Sequence, residues 1–377
     1  MTAILDGSLN IIHVLRAPVG GLFRHVVDLA RGQAARGHRV GVIVDSSSGG
    51  AQAEAALAEL SPALTLGISR VPMSRQIGPR DISARAHVSR RATEARADVL
   101  HGHGAKGGAY ARLATGQALR VYTPHGGSLH YRWTTPAGLL YLALERALLP
   151  RTDLFLFESQ YGRDIFRAKV GEPGALVRVV HNGVAPAEFA PVESVPKASD
   201  LLFIGELRAL KGIDVLIEAI GLLRREGHSV SATIVGAGPD RASLEAYVAA
   251  HGLRDAIHFA GPLPARTAFA LGKLLVVPSR AESLPYIVLE AAAAGMPMIA
   301  TGVGGIPEIF GPDAASLISP GDPAALAQAI TRTLQDSGPR QAAVGRLQAR
   351  VRDHFSVGAM TDAVLTAYQE ALARRHG

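Results

Sequence analysis

The chain has 377 residues, 48% of them hydrophobic and 19% charged, with no cysteine and a formal net charge of +7. This length suits two domains, and the composition excludes an intrinsically disordered chain, a collagen-like repeat and a scaffold that depends on disulfides or thiolate metal sites. The basic surplus favours an anionic partner: a nucleic acid, a membrane surface or a phosphorylated small molecule.

The N-terminal half alternates short apolar runs with glycine loops and amphipathic segments. An apolar run at 10–16 precedes Gly20 and Gly21, a helical pattern covers 22–36, and a second apolar run covers 39–44. This alternation predicts a parallel sheet with crossover helices. Further strands are predicted at 99–101, 120–122, 154–158 and 177–180.

A segment with three prolines at 185–200 has little apolar periodicity and is the predicted linker. Beyond it, apolar runs again alternate with helical patterns, and strands are predicted at 201–204, 231–235, 257–259, 274–277 and 298–300. We therefore predict an α/β protein with two Rossmann-like domains that face a cleft, whose ligands bind at the carboxyl ends of the strands. The predicted domains span residues 1–190 and 199–357.

Signals for export and membrane insertion are weak. The first six residues show no basic segment followed by an apolar one, so no secretory signal is expected. The longest apolar stretch, 136–150, is shorter than the roughly 20 residues that span a bilayer. We expect a cytoplasmic protein that is either soluble or resting on a membrane.

Glycines and histidines follow the predicted strands of the first half. Gly20 and Gly21 would let the backbone approach an anion at a helix N-terminus, although a tight turn explains them equally well. His101 and His103 suggest a metal, but no third ligand is placed with them, so no metal site is expected. We predict that His103 lines the cleft and contacts the acceptor, and that His101 is a structural histidine.

His125 follows the predicted strand at 120–122 and precedes two glycines. The glycines would expose its ring, and a neutral imidazole there can hydrogen-bond a sugar hydroxyl or a developing charge. Local capping is the structural alternative, and we favour the functional interpretation.

Two cations follow the first strand of the second half. Arg208 and Lys211 precede a helix predicted at 213–223, where positive charge opposes the helix dipole. A bound diphosphate would satisfy both cations and the helix amides. A solvated basic loop is the alternative. The nearby Gly236 and Gly238 do not complete a dinucleotide-binding fingerprint.

Two glutamates eight positions apart flank the start of a later helix. Glu282 lies just before the predicted helix, where the amides of Ser283 and Leu284 can meet a phosphate. Glu290 lies in an otherwise apolar part of that helix, and either ribose hydroxyls or a basic residue could satisfy it.

In its ordered motifs the chain resembles the family 4 retaining glycosyltransferases of the GT-B fold. The resemblance is strongest over 201–320, in the Arg208–Lys211 loop, the turn at 236–239, the Glu282/Glu290 pair and the glycine-rich segment at 302–308. It implies a nucleotide-sugar donor held mainly by the second domain and an acceptor held mainly by the first. It also implies that the last helix, at 361–375, crosses back, so that residues 358–377 join the first domain.

The resemblance further implies roles for individual residues. Arg208 and Lys211 would bind the donor diphosphate, Glu282 the transferred sugar and Glu290 the ribose. Gly20 and Gly21 would approach the phosphates, and His125 would hydrogen-bond the sugar. No metal or cofactor is implied, and we expect a UDP-sugar as the donor. The family often has phenylalanine and glycine at the positions of Leu284 and Pro285, which makes the sugar harder to infer.

The net positive charge of the chain comes from its first half. Residues 1–190 carry 22 Lys and Arg against 14 Asp and Glu, a net of +8, whereas residues 191–377 carry 17 against 18, a net of −1. The first half also contains a series of arginines: Arg70, Arg75, Arg80, Arg85, Arg90, Arg91 and Arg96. Together with the apolar segment 139–144, they favour an anionic or lipid-linked acceptor. A solvated basic helix explains the arginines equally well, and a buried helix is the preferred explanation of the apolar segment.

We therefore predict a glycosyltransferase that acts on a glycan, glycolipid or lipid-linked acceptor in surface polysaccharide synthesis. One alternative is a nucleotide-sugar epimerase of the same fold, and another is a non-catalytic nucleotide-sugar-binding protein. A nucleic-acid partner is disfavoured, because aromatic residues make up only 5% of the chain.

Overall fold

The computed structural model describes residues 7–376, so the segment examined for a secretory signal lies outside the described part. The chain divides into two compact units. The first contains the residues up to Asn182 and those from Val357 onward, and the second is Gly183–Ser356. The first unit thus ends at Asn182 rather than at residue 190. The segment expected to be a linker belongs to the second unit, where Arg266 donates hydrogen bonds to the carbonyls of Glu188 and Ala190.

The first unit is built on a parallel sheet with strand order β3-β2-β1-β4-β5-β6-β7. Its elements through β7 are β1 (Asn10–Leu15), α1 (Gly20–Ala35), β2 (Arg39–Asp45), α2 (Gly50–Leu60), β3 (Gly67–Val71), α3 (Arg80–Glu94), β4 (Val99–His103), α4 (Gly104–Leu113), β5 (Leu119–Thr123), α5 (Pro136–Ala147), β6 (Leu154–Phe157), α6 (Gln160–Lys169) and β7 (Leu176–Val179). The predicted strands are present, and β3 is an additional edge strand.

The second unit has a smaller parallel sheet with strand order β10-β9-β8-β11-β12. Its elements are β8 (Ser199–Ile204), α7 (Ile213–Arg225), β9 (Ala232–Val235), α8 (Arg241–Ala250), β10 (Ile257–Gly261), α9 (Ala265–Phe269), β11 (Gly272–Val277), α10 (Tyr286–Ala293), β12 (Met298–Ala300), α11 (Ile306–Phe310), α12 (Pro323–Gln335) and α13 (Ser337–His354).

The last helix, α14 (Val357–His376), belongs to the first unit, as the resemblance implies. It packs against α1 so closely that a Cβ on Gly32 would lie 2.4 Å from Thr361 Oγ1. Its residues Val364 and Tyr368 join the same apolar core as Leu29. Among the described helices, none is long and apolar enough to cross a membrane.

Apolar sequence runs make these sheets, because strands covered by helices on both faces are buried throughout. In β1 the five residues from Ile11 to Leu15 are buried, including His13 in the middle of the run. In each sheet the strand order reverses once, between β1 and β4 and between β8 and β11. Loops at the carboxyl ends of those strands are where ligands bind in open α/β sheets.

Candidate active site

In the second unit, the loops that follow β8 and β11 are in direct contact. Residues Ala209–Lys211 form a short 3-10 turn, and Gly212, with a φ of +67°, leads into α7. A Cβ on Gly212 would lie 2.0 Å from the carbonyl oxygen of Pro278. Only glycine provides both this backbone conformation and this clearance, so the position fixes the two loops against each other.

Lys211 and Glu282 meet between these loops. Lys211 Nζ donates to Glu282 Oε1 at 2.6 Å, and Ser279 Oγ donates to the same oxygen at 2.7 Å. Glu282 is buried, whereas the Lys211 side chain is 23% exposed. An ammonium group has three donors, so Lys211 can hold Glu282 and an anionic ligand at the same time.

Arg208 lies at the start of the same turn with its side chain 46% exposed. Its contact with Glu206 is 3.4 Å long, and exposed pairs of this kind contribute little stability. The neighbouring backbone is better anchored, because Ala209 N donates to Asp240 Oδ2 at 2.7 Å. The turn thus holds its backbone in place and presents the guanidinium to solvent.

Carboxylates inside the unit offset part of the positive charge near α7. Arg280 donates to both oxygens of Asp214, at 2.7 and 2.6 Å, and to the carbonyl of Ala209. The hydrogen bonds from Arg280 lower the pKa of Asp214, outweighing the opposite effect of burial. Asp214 lies in the first turn of α7. Within the unit, Glu282 thus offsets the charge of Lys211 and Asp214 offsets that of Arg280.

The turn at 236–239 packs its backbone against the loop that carries Arg208. A Cβ on Gly236 would lie 1.8 Å from the carbonyl oxygen of Gly205, and one on Gly238 would lie 2.3 Å from that of Leu207. Leu207 N also donates to the carbonyl of Ala237. Both glycines are required by close backbone approach.

The segment that carries Glu282 is held by the glycine-rich loop that follows β12. Gly304, with a φ of +61°, would place a Cβ 2.1 Å from the carbonyl oxygen of Glu282, and Gly305 N donates to the carbonyl of Ser283 at 2.6 Å. Leu284 is buried, and α10 begins two residues later. The loop therefore fixes the backbone position of Glu282 at the edge of the sheet.

Glu290 lies in α10 among alanines and lines a small cavity with Glu188, Arg266 and Phe269. The basic residue of this cavity, Arg266, donates to backbone carbonyls of the segment 188–191. Both interpretations of Glu290, a ribose contact and a contact with a basic residue, fit this position.

In the first unit, α1 begins directly at the predicted glycine pair. Gly20 has a φ of +66°, and both Gly20 and Gly21 are exposed. In the described chain, no side chain caps the helix at Val19 and its first turn contains no acidic residue. The first amides of α1 are thus suited to an anion.

His125 adopts a left-handed backbone conformation with a φ of +53°, which is rare for a residue with a side chain. Its Nδ1 donates to Glu158 Oε1 at 2.6 Å. Burial is the largest effect on Glu158 and raises its pKa, but the contacts with His125, His25 and Asn182 together lower it to about 2. The expected exposure of the His125 ring is wrong, because its side chain is only 4% exposed.

Five histidines form a buried group at the carboxyl edge of this sheet, which we call the histidine cluster. Its members are His13, His25, His101, His103 and His125. His103 Nε2 lies 2.9 Å from His13 Nδ1, and His103 Nδ1 lies 3.1 Å from His125 Nε2. Burial lowers the pKa of His13 to about 4 and that of His25 to about 3, with the charge of His125 adding to the latter effect.

The cluster corrects two expectations. His103 is 1% exposed and is held by two other histidines, so it does not line an open surface where an acceptor could reach it. The sequence placed no third histidine with His101 and His103, whereas in the structure His13 lies with both of them, and His25 and His125 lie with His103. His101 is a structural histidine as expected, bonded to the hydroxyls of Tyr368 and Thr123.

Several residues of both sites are not apparent from the sequence. Ser279, Asp214 and Arg280 support the Lys211–Glu282 pair, and Glu158 and Asn182 support the histidine cluster. Glu158 is the last residue of the strand predicted at 154–158, and Asn182 lies two positions after the strand predicted at 177–180; this place at a strand end is the signal that could have found them.

Comparison with known proteins places the two units in one family. Residues 19–188 match the model described as Glycosyltransferase Family 4, and residues 198–336 match Glycosyl transferases group 1. A 2-deoxystreptamine glucosyltransferase of Streptomyces kanamyceticus is 31% identical over 62% of this chain and 65% of its own length. A glycogen synthase of Mycobacterium tuberculosis is 27% identical over 94% of this chain and 92% of its own.

Solved structures show the same fold. Anabaena HepE, crystallised with UDP and glucose, is 19% identical over 94% of this chain and 98% of its own, with a TM-score of 0.79. The named relatives are a glucosyltransferase and a glycogen synthase, which favours transfer over the epimerase and non-catalytic alternatives. The chain belongs to the family 4 retaining glycosyltransferases and has the GT-B fold.

Proposed function

We propose that the enzyme transfers a sugar from a UDP-sugar to a glycan, glycolipid or lipid-linked acceptor in the synthesis of a surface polysaccharide. The observation that carries the donor assignment is the Lys211–Glu282 pair, with Arg208 exposed beside it at the strand-order reversal between β8 and β11. The presence of UDP in the structure of HepE supports the choice of nucleotide.

In the proposed reaction, the bond between the anomeric carbon and the diphosphate breaks while a bond to the acceptor oxygen forms on the same face, and the proton of the acceptor hydroxyl passes to the departing diphosphate. Negative charge develops on the departing diphosphate, and Arg208, Lys211 and the amides of Ser283 and Leu284 stabilise it. Because these groups provide the positive charge, the step requires no metal at the diphosphate. Glu282, held by Ser279 and Lys211, positions the transferred sugar.

Further donor contacts are proposed in both units. Glu290 accepts hydrogen bonds from the ribose hydroxyls, and the amides at Gly20 and Gly21 approach the phosphates. His125 contacts the sugar through Nε2, which must first exchange its contact with His103 for a sugar hydroxyl. Glu158 holds the other ring nitrogen during this exchange, so the ring keeps its orientation.

The acceptor proposal rests on the surface of the first unit. Helix α5 leaves Leu139, Leu140 and Leu144 exposed by 52, 50 and 41%, so the simpler expectation of a buried helix is wrong. Arg132 and Arg146 are exposed nearby in the chain. An apolar helix face with basic residues around it is typical of proteins that rest on an anionic membrane. We therefore propose a cytoplasmic enzyme that works at the membrane surface on a lipid-linked acceptor.

A donor screen tests this function. UDP-, GDP- and ADP-sugars are compared by thermal shift, because a ligand that binds only the folded state raises the apparent melting temperature. The donor that binds is then supplied with extracted lipid-linked glycans, and the product is identified by mass spectrometry. A shift with UDP-sugars alone supports the proposal, and a shift restricted to GDP- or ADP-sugars would overturn the donor assignment.

A further inference from the structure

Three ring nitrogens of the histidine cluster converge in the first unit. Ligand atoms of His25, His103 and His125 all lie within 4.8 Å of one another. Two of them, His103 Nδ1 and His125 Nε2, are 3.1 Å apart. Two nitrogens bound to a tetrahedral ion at about 2.0–2.1 Å lie about 3.3 Å apart, so small shifts would place all three around one ion.

The outer nitrogens of two of these rings donate to groups that can only accept. His25 Nδ1 lies 2.9 Å from Asn182 Oδ1, and His125 Nδ1 lies 2.6 Å from a carboxylate oxygen of Glu158. An amide oxygen and a carboxylate have no proton to give, so each ring carries its proton on Nδ1. In the neutral rings, the lone pair is then on Nε2, which in His125 lies 3.1 Å from His103 Nδ1.

The position of the proton on the third ring, His103, follows from the contacts of His13. His13 Nε2 lies 2.7 Å from Gln33 Oε1, an acceptor, so its proton is on Nε2 and its Nδ1 carries a lone pair. His103 Nε2, 2.9 Å from that Nδ1, must therefore donate. This leaves the lone pair of His103 on Nδ1, the nitrogen that faces His125 Nε2.

The neutral cluster therefore has three ring nitrogens that carry a lone pair and no proton: His25 Nε2, His103 Nδ1 and His125 Nε2. His103 Nδ1 and His125 Nε2 face each other without a proton between them. His25 Nε2 is buried and has no hydrogen-bond partner among residues 7–376. Unsatisfied buried nitrogens are costly, so the arrangement calls for a cation.

We propose that His25, His103 and His125 bind one transition-metal ion of the Zn²⁺ class. Imidazole nitrogens suit such ions, and three histidine ligands leave a fourth position open. In metal sites, the ligating histidines donate their other N–H to carboxylates, amides or further groups that orient the rings. Glu158, Asn182 and His13 already occupy those outer positions.

The other group of three, His13, His101 and His103, is less suited to a metal. Both ring nitrogens of His101 are bonded to hydroxyls, at 2.7 and 2.8 Å, and both of His13 are bonded within the cluster. A metal there would have to break these bonds. The unpartnered His25 Nε2 singles out the group formed with His125.

A bound ion would occupy His125 Nε2 and keep it from the donor sugar. Metal binding would then inhibit transfer, and a chelator would restore it. This kinetic consequence rests on the proposed role of His125, whereas metal binding itself does not. Metal binding and its effect on transfer can therefore be disproved separately.

The test uses the full chain without a polyhistidine tag, freed of metal by dialysis against a chelator. Co²⁺ is titrated while its visible absorption is recorded, and Zn²⁺ is then added to displace it. We expect one ion per chain, a tetrahedral Co²⁺ spectrum and loss of that spectrum on Zn²⁺ addition. His25→Ala should abolish the spectrum, whereas His258→Ala, which removes an exposed histidine of the second unit, should leave it unchanged.

Asn182→Ala keeps all three ligands and provides a second variant if His25→Ala does not fold. Loss of such an outer contact weakens metal affinity by about 10- to 100-fold. Circular dichroism checks the fold of each variant. The proposal is overturned if the wild-type chain binds no stoichiometric ion, or if folded His25→Ala and Asn182→Ala bind Co²⁺ as tightly as the wild type. Binding with unchanged transfer activity would overturn only the proposed role of His125.

Discussion

Lys211 Nζ lies 2.6 Å from Glu282 Oε1, although the two residues are 71 positions apart in the chain. The contact joins the loops after β8 and β11, neighbouring strands on either side of the reversal in strand order. The same lysine that faces the donor phosphates in our account thus also orients the carboxylate assigned to the sugar. Replacing either residue should therefore disturb the orientation of the other side chain.

Removing the charge of Lys211 should weaken nucleotide binding. Lys211→Gln deletes one of the two cations assigned to the diphosphate, and loss of one such donor typically costs about 10²–10³ in kcat. Calorimetry with UDP and initial rates with the identified donor measure the two effects. Lys273→Gln, which changes an exposed lysine paired with Asp200, is the matched control. Equal UDP affinity in both variants would contradict the assignment.

Adding a methyl group at Gly304 should disturb the Glu282 segment. A Cβ there would lie 2.1 Å from the carbonyl oxygen of Glu282, and the φ of +61° disfavours any other residue. We expect Gly304→Ala to cost about 1–3 kcal/mol in unfolding free energy and to lower activity. Gly174→Ala, where a Cβ would meet nothing within 4 Å, is the control and should keep the wild-type melting temperature.

The stability of the first unit should depend on pH through Asp45. Burial raises the pKa of this carboxyl, but hydrogen bonds from Ser48, Met73 and Ser47 together lower it below the usual value. A lowered folded-state pKa stabilises the fold above the unfolded value of about 3.9, and the contribution disappears as the pH falls through the folded value.

Asp45→Asn should therefore destabilise the fold at neutral pH by about 1.5–3 kcal/mol, the worth of a hydrogen bond to a charged group. The difference in melting temperature from the wild type should shrink as the pH is lowered from about 7 to about 3. Glu193→Gln, at an exposed carboxylate, should show a small difference at each pH. If the difference in melting temperature between Asp45→Asn and the wild type stays constant with pH, the charge of Asp45 is not the source of this stability.

Replacing the exposed leucines of α5 should reduce membrane binding without unfolding the protein. A variant with Leu139, Leu140 and Leu144 all changed to Ser removes apolar surface that is worth about 0.8 kcal/mol per buried CH₂ in a lipid interface. Flotation with anionic vesicles at low salt should show at least a roughly tenfold loss of bound protein. Leu263→Ser, at a leucine of the second unit that is 37% exposed, should bind as the wild type does. If the wild-type protein does not bind the vesicles, the membrane proposal is wrong.

Much of the fold is predictable because buried parallel strands are short apolar runs between glycine and polar loops. Strand β3 was missed because it is an edge strand whose sequence, Gly-Ile-Ser-Arg-Val, is only partly buried and lacks a continuous apolar run. The linker was misassigned because prolines mark irregular backbone but not the unit to which it is attached. The hydrogen bonds from Arg266 attach the segment to the second unit, and contacts between residues so far apart in the chain cannot be read from the sequence.

The sites were predictable only where one loop carries the chemistry. Arg208 and Lys211 stand in one loop, but the contacts of Lys211 with Glu282 and of Arg280 with Asp214 form only through strand order. The histidine cluster shows the same limit more strongly. Its members lie on β1, α1 and β4 and in the loop after β5, and His13 stands in an apolar run where it resembles a core residue. Side chains from separate strand ends converge only once the sheet has formed.

Turnover by Glu282→Gln tests the central claim most directly. Glutamine keeps the size of the side chain but removes the charge that pairs with Lys211, so the donor sugar should be held less well. With a verified donor and acceptor, we predict a kcat at least about 100-fold below that of the wild type, with the fold intact by circular dichroism. Normal turnover by this variant would contradict the site assigned to the second unit.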